Sequence, residues 1–242
     1  MNRGLLFFAV WFSAVGIAHG ETYSDSFEGP VLNSFWDYVT PNGTTGFWAI
    51  SPEQAHSGQN SLRFQSNNAS AQKTVQISHN FAEPVYGTFS IWLRDPGLGG
   101  FYSLFLTPSD PLLASGWGHR VFAADPFFYS YSIPNGSITT TSVSRSATWR
   151  QIEISALADA VRYSIDGQMV YSAPSSGPID AVNFIAHSSL PFETVYWDDF
   201  DAQIVPEPSS SALAFAAVAS TMTCVARPRR RQRGDSRCSQ HG

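Results

Sequence analysis

The sequence predicts an all-β body, a single antiparallel β-sandwich occupying residues 21–204 of a 242-residue chain. Three observations predict it. Helical spacing of apolar residues is hard to find, while Ser, Thr, Tyr, Phe and Val recur between closely spaced turn signals. Short runs alternate apolar and polar residues, the period of a strand with one buried face. The body also has no cysteine, because Cys224 and Cys238 lie beyond it. No disulfide can hold such a fold, so one hydrophobic core must.

The elements follow in order. Residues 1–20 read as a secretory signal peptide: Met1-Asn-Arg3 is a positive start, residues 5–15 are apolar, and Ala18-His19-Gly20 places small residues where a signal peptidase reads. Cleavage after Gly20 leaves Glu21 first. Thr88-Phe-Ser-Ile-Trp-Leu-Arg94 alternates, with Phe89, Ile91 and Leu93 on one face and Ser90, Trp92 and Arg94 on the other. Asn135-Gly136 is a turn between strands at 127–133 and 137–143. Val161-Arg-Tyr-Ser-Ile165, Asp166-Gly167 and Gln168-Met-Val-Tyr171 form a hairpin with a two-residue turn of the type I′ kind. Residues 149–154, 181–187 and 194–204 supply further strands, and neither a repeat nor a linker precedes Val205.

The chain closes on Val205-Pro-Glu-Pro-Ser209, an apolar run to Ala226 and the cluster Arg227-Pro-Arg-Arg-Arg-Gln-Arg233. An apolar segment closed by arginines halts export, with the basic side held in the cytoplasm. The order of Pro206, Glu207 and Pro208, an apolar helix and the anchor Arg227, Arg229, Arg230, Arg231 and Arg233 resembles the PEP-CTERM sorting signal. That resemblance implies an exosortase-type processing enzyme as partner, transient membrane insertion, and delivery to the cell surface or extracellular matrix. Residues 205–233 are the expected signal and 234–242 a disordered cytoplasmic tail.

With both ends removed, seven cations face seventeen carboxylates, a net charge of −10 for the body. Such a surface gains nothing from releasing counterions, which excludes nucleic acid as a partner. It suits neutral ligands, basic partners and calcium.

Asp25-Ser-Phe-Glu-Gly29, Trp36, Phe47-Trp48, Ala55-His-Ser-Gly-Gln-Asn-Ser-Leu62, Trp149-Arg-Gln-Ile-Glu-Ile154, Ile165-Asp-Gly167 and Val195-Tyr-Trp-Asp-Asp-Phe200 follow one another across the body. Their order resembles the bacterial concanavalin A-like, or laminin G-like, jelly rolls. The opening and the Asp-Asp-Phe are shared with galactose-binding-like jelly rolls as well. In both families the first and last strands lie side by side and a structural calcium joins them. The resemblance therefore implies Ca2+ ligands among Asp25, Glu28, Asp198 and Asp199, and a hard cation suits clustered carboxylates. Asp198 and Asp199 point to opposite faces unless the strand bulges.

Saccharide rings stack on exposed aromatic faces, which makes Trp92 with Arg94, and Trp117 in a glycine-rich loop, the candidate carbohydrate contacts. Catalysis has less to draw on. Glycoside hydrolysis uses two carboxylates about 5 to 9.5 Å apart, yet no Glu-x-Asp-x-(x)-Glu run places them on one strand; a lyase would draw on His119 and Arg120 with Tyr129 or Tyr131. His56, His79, His119 and His187 have no triad or ligand spacing. The sequence thus predicts a non-catalytic, surface-sorted protein with a binding or structural role in the extracellular polysaccharide matrix, with a glycosidase or lyase as the alternative.

Overall fold

The computed structural model describes residues 20–42, 46–66, 73–96, 100–110, 118–123, 125–134, 136, 138–175, 177–188 and 193–205. Among them there is no helix, and hence none long and apolar enough to cross a membrane. The described residues form fourteen antiparallel strands in chain order: β1 Glu21–Asp25, β2 Tyr38–Val39, β3 Gly46–Ser51, β4 Ser61–Ser66, β5 Lys73–Arg94, β6 Phe101–Pro108, β7 His119–Ala123, β8 Phe128–Ser132, β9 Ile138–Ser144, β10 Trp149–Ala156, β11 Ala160–Ile165, β12 Gln168–Pro174, β13 Ile179–Ser188 and β14 Thr194–Val205.

Strand β5 organises the molecule. Its 22 residues serve two sheets: residues 73–80 pair with β13 and β2, and residues 86–94 pair with β10 and β14. One sheet therefore runs β12-β11-β10-β5-β14, with β1 and β4 beyond β14 and β3 beyond β4. The other runs β2-β5-β13-β6-β7-β8-β9. At the crossover the ladder with β13 jumps from Asn80 to Val85. Pro84 sits in that gap and has no N–H to give a ladder.

The sheets close on one core. Phe89, Ile91 and Leu93 are fully buried, as their alternation predicts, facing Val182 and Phe184 of β13 and Leu104 of β6 in a single cluster. Trp197 of β14 stacks on Phe184 across the two layers, with ring centroids 5.2 Å apart and an interplanar angle of 14°. Each such side chain taken from water contributes about 1.5 to 3 kcal/mol. The first predicted hairpin is present: β11 and β12 pair around Asp166 and Gly167, both at positive φ (52° and 74°), as a type I′ turn requires. The second is present as β8 and β9.

Candidate functional site

The four carboxylates expected to bind calcium lie at the seam of β1 and β14, which pair from Glu21 with Ile204 to Asp25 with Phe200. The β14 ladder with β5 slips between Asp198 and Asp201, and Asp199 takes a φ of 46°. This bulge aims both carboxylates at one loop. Asp198 accepts the backbone N–H groups of His56 (2.7 Å), Ser57 (3.2 Å) and Asp199 (2.8 Å). Asp199 meets His56 Nδ1 and Ser57 Oγ, each at 2.7 Å. Glu28 accepts the N–H groups of Gln59 and Asn60, and Asp25 those of Phe27 and the Trp36 indole. Asp25, Glu28 and Asp199 share a shallow cavity of about 370 Å³ with Asp201, while Asp198 is fully buried beneath the loop. Burial pushes Asp198 up to about 6 in spite of its three N–H donors. Among the described residues no group of three or more His, Cys, Asp or Glu stands close enough to hold a metal. Asp198, Asp199 and Glu28 hold residues 56–60 to the sheet, and Asp25 holds Trp36.

Trp92 lies on the outer face, as alternation predicts, half-buried like Arg94. Its ring is already covered: His56 stacks on it at 3.7 Å and 14°, with Trp149 edge-on to the same imidazole. Trp117 lies outside the described residues, as do residues 1–19, the sorting residues Pro206, Glu207 and Pro208, the arginines Arg227, Arg229, Arg230, Arg231 and Arg233, and the tail 234–242.

The constellation considered for a lyase is divided by the sheet. His119 points into the core, where its Nδ1 meets Tyr163 Oη at 2.7 Å. Arg120 points the other way, packed over the rings of Phe105 (4.4 Å) and Phe101 (5.1 Å), with burial lowering it to about 10. Tyr129 is fully buried and Tyr131 packs against Tyr163 and Tyr171. His119 and Tyr131 share Tyr163, while Arg120 stands on the opposite side of the sheet.

A different set lines one cleft, at the crossover of β5. A cleft of about 560 Å³ is lined by β1 (Glu21, Tyr23), by residues 79–85 and by Ile204. His79 stacks on Phe35 at 3.9 Å and meets Phe81 edge-on at 4.8 Å. Its Nδ1 lies 2.6 Å from the Phe35 carbonyl and 3.1 Å from Asp37 Oδ2. A carbonyl only accepts, so Nδ1 carries the proton and, in the neutral ring, Nε2 keeps its lone pair. Asp37 is fixed in turn by the Asn80 N–H at 2.7 Å. Tyr23 donates to Glu21, and that hydrogen bond raises the phenol so that it stays protonated. Glu83, beside Pro84, supplies a second carboxylate to the lining. An oriented imidazole, a phenol and two carboxylates in one cleft are the equipment of general acid and base chemistry. Sequence reading missed this set because 62 positions separate Glu21 from Glu83, and Glu83, four residues after His79, forms no recognisable motif with it. The proline inside a strand run was the one available signal.

No protein-family model matches this sequence, and no curated protein is significantly similar to it. Solved structures do match in fold. A cellulose-induced protein, Cip1, superposes with a TM-score of 0.56 at 17% identity, over 74% of this chain and 95% of its own. The transglycosylase Crh5 gives 0.54 at 17%, over 75% and 83%. The β-glucanase of Bacillus licheniformis gives 0.52 at 10%, over 78% and 99%. The fold is the all-β jelly roll expected from the concanavalin A-like resemblance. The expectation of a non-catalytic protein is corrected by these neighbours, because a transglycosylase and a glucanase are built on this fold.

Proposed function

We propose that the protein is a polysaccharide-active enzyme that cleaves or transfers glycosidic bonds at the β5 crossover cleft. The observation that carries the reading is the cleft itself, whose lining holds Glu21, Glu83, Tyr23 and His79, the last backed by Asp37, on a fold that a transglycosylase and a glucanase also have. Glu83 serves as the acid that protonates the leaving oxygen. Glu21, oriented by the Tyr23 hydroxyl, serves as base or nucleophile, and His79 Nε2 accepts a hydrogen bond from a sugar hydroxyl or from water. Export to the surface, with exosortase processing at residues 205–233, would place the enzyme where such polymers lie; what supports it is the order of signals at the chain ends. Recovery of the surface form with Glu21 at its N-terminus tests that placement. Calcium joining β1 to β14 is a separate proposal, supported by the order of motifs around Asp25, Glu28, Asp198 and Asp199 in the sequence.

The test is incubation of the purified protein with neutral, basic and acidic polysaccharides, with calcium or with chelator, scoring new reducing ends and transfer products. Cleavage of at least one polymer is expected, with Glu83→Gln lowering kcat by about 10² to 10⁴-fold while the fold is kept. Products that survive Glu83→Gln and Glu21→Gln unchanged would remove the cleft from the reaction, and no product in any polymer would remove the activity. A melting temperature that calcium leaves unchanged would remove the seam ion.

A further inference from the structure

The cleft leaves unused one row of side chains on the outer face of the sheet that holds β4, β14, β5 and β10. Leu62, Trp197, Leu93 and Ile152 point into the core, so their neighbours of opposite phase, Arg63, Tyr196, Arg94 and Trp149, point outward. The register sets Arg63 opposite Tyr196, Tyr196 opposite Arg94, and Arg94 opposite Trp149. With strands about 4.8 Å apart, this row runs about 14 Å across the sheet, a cation beside an aromatic ring throughout. Its two charges are not equivalent. Glu53 meets Arg63 at 2.5 Å and accepts the Tyr196 hydroxyl at 2.7 Å. Burial, and then that hydrogen bond, push the Tyr196 phenol up to about 12, so it stays uncharged. Arg145 and Arg150 are likewise paired, with Asp95 and Asp166, and Arg120 lies over Phe101 and Phe105. Arg94 is half-buried, yet no ion pair, hydrogen bond or ring contact engages it among the described residues. A guanidinium partly withdrawn from water has lost hydration that a carboxylate would replace.

We infer that Arg94, set between Tyr196 and Trp149, is a saccharide-binding site separate from the crossover cleft, and that its ligand is a mainly neutral glycan bearing a uronate. The planar guanidinium takes the carboxylate through two parallel N–H donors, while the sugar ring lies against the aromatic side chains on either side. A wholly neutral chain stacks but leaves the charge unused. A chain with a carboxylate on every unit brings further negative charge against a body of net charge −10. A single charge-assisted pair at a half-buried position corresponds to about a tenfold gain in affinity. Trp92, two residues before Arg94, takes no part, because His56 already covers its ring.

The experiment is titration calorimetry of the purified protein with a xylo-oligosaccharide bearing one glucuronate branch, as the free acid and as its methyl ester, which keeps the ring and removes the charge. The acid is expected to bind about tenfold tighter than the ester. Arg94→Gln should bring the two to equal affinity, whereas Arg162→Gln, which removes an exposed cation from β11 on the same face, should leave the preference intact. Binding of neither form, equal binding of both by the parent protein, a preference that survives Arg94→Gln, or one that Arg162→Gln lowers as much overturns the inference. Should Arg94→Gln fail to fold, Arg94→Lys decides: the preference should fall once the forked donors are gone, and an unchanged preference overturns the site. The outcome is independent of glycan cleavage, because no residue of the crossover cleft is altered.

Discussion

His119 is the side chain whose burial has the plainest consequence. Burial lowers it from an ordinary 6.5 to about 4, so it stays neutral against Tyr163 while the unfolded chain takes up a proton. Between those values the unfolded state binds more protons, and this residue's share of stability is lost as the pH falls from about 6.5 to about 4. Asp198 acts in the opposite sense. Pushed up from 3.8 to about 6, it binds its proton first in the folded state, and stability rises as the pH falls across that window. The two nearly offset each other. In His119→Gln the first contribution disappears, so the variant should gain stability relative to the parent on the order of 3 kcal/mol between pH 7 and pH 4, measured by urea unfolding at each pH. An unchanged difference would mean that His119 titrates normally in the fold.

At the scale of elements, the turns carry the design. Gly167 has a φ of 74° and no heavy atom within 4 Å of the position a Cβ would take. Its substitution by Ala therefore meets backbone strain alone, and the expected cost is about 1 to 2 kcal/mol in the denaturation midpoint with an unchanged slope. A loss of much more than that would mean the β11–β12 pairing itself had changed. This turn was legible from Asp166-Gly167 between alternating runs, as was the Phe89, Ile91 and Leu93 face of β5, because a two-residue turn and a period of two are local properties. The length of β5 was not legible. Only the partners on either side show that residues 73–80 belong to one sheet and 86–94 to the other. The bulge at Asp199 stands between these cases: alternation set Asp198 and Asp199 apart, and the slip against β5 brought them to the same loop.

At the scale of the molecule, one ion pair ties distant connections together. Arg145, after β9, makes a bidentate contact with Asp95, after β5, at 2.7 and 2.6 Å, and its third nitrogen donates to the Asp125 carbonyl at 2.8 Å. Both side chains are almost wholly removed from solvent. Removing one charge strands the other, so Asp95→Asn should cost about 3 to 5 kcal/mol, whereas replacing both by apolar residues of similar volume should cost less. Calorimetric unfolding of the single and double variants decides this, and an equal loss in both would show that the clamp acts through its hydrogen bonds rather than its charge.

Alternating runs, turn pairs, the absence of cysteine and the acidic balance by themselves determined that this chain forms an all-β body without disulfides, since each is a local or compositional property. Tertiary structure decided which side chains meet. It covered Trp92 with His56, sent His119 and Arg120 to opposite sides of a sheet, and brought Glu21, His79 and Glu83 to one cleft. Contacts of that kind depend on strand order and on where β5 crosses between sheets, and these are settled by the packing of the whole core rather than by any short stretch of sequence.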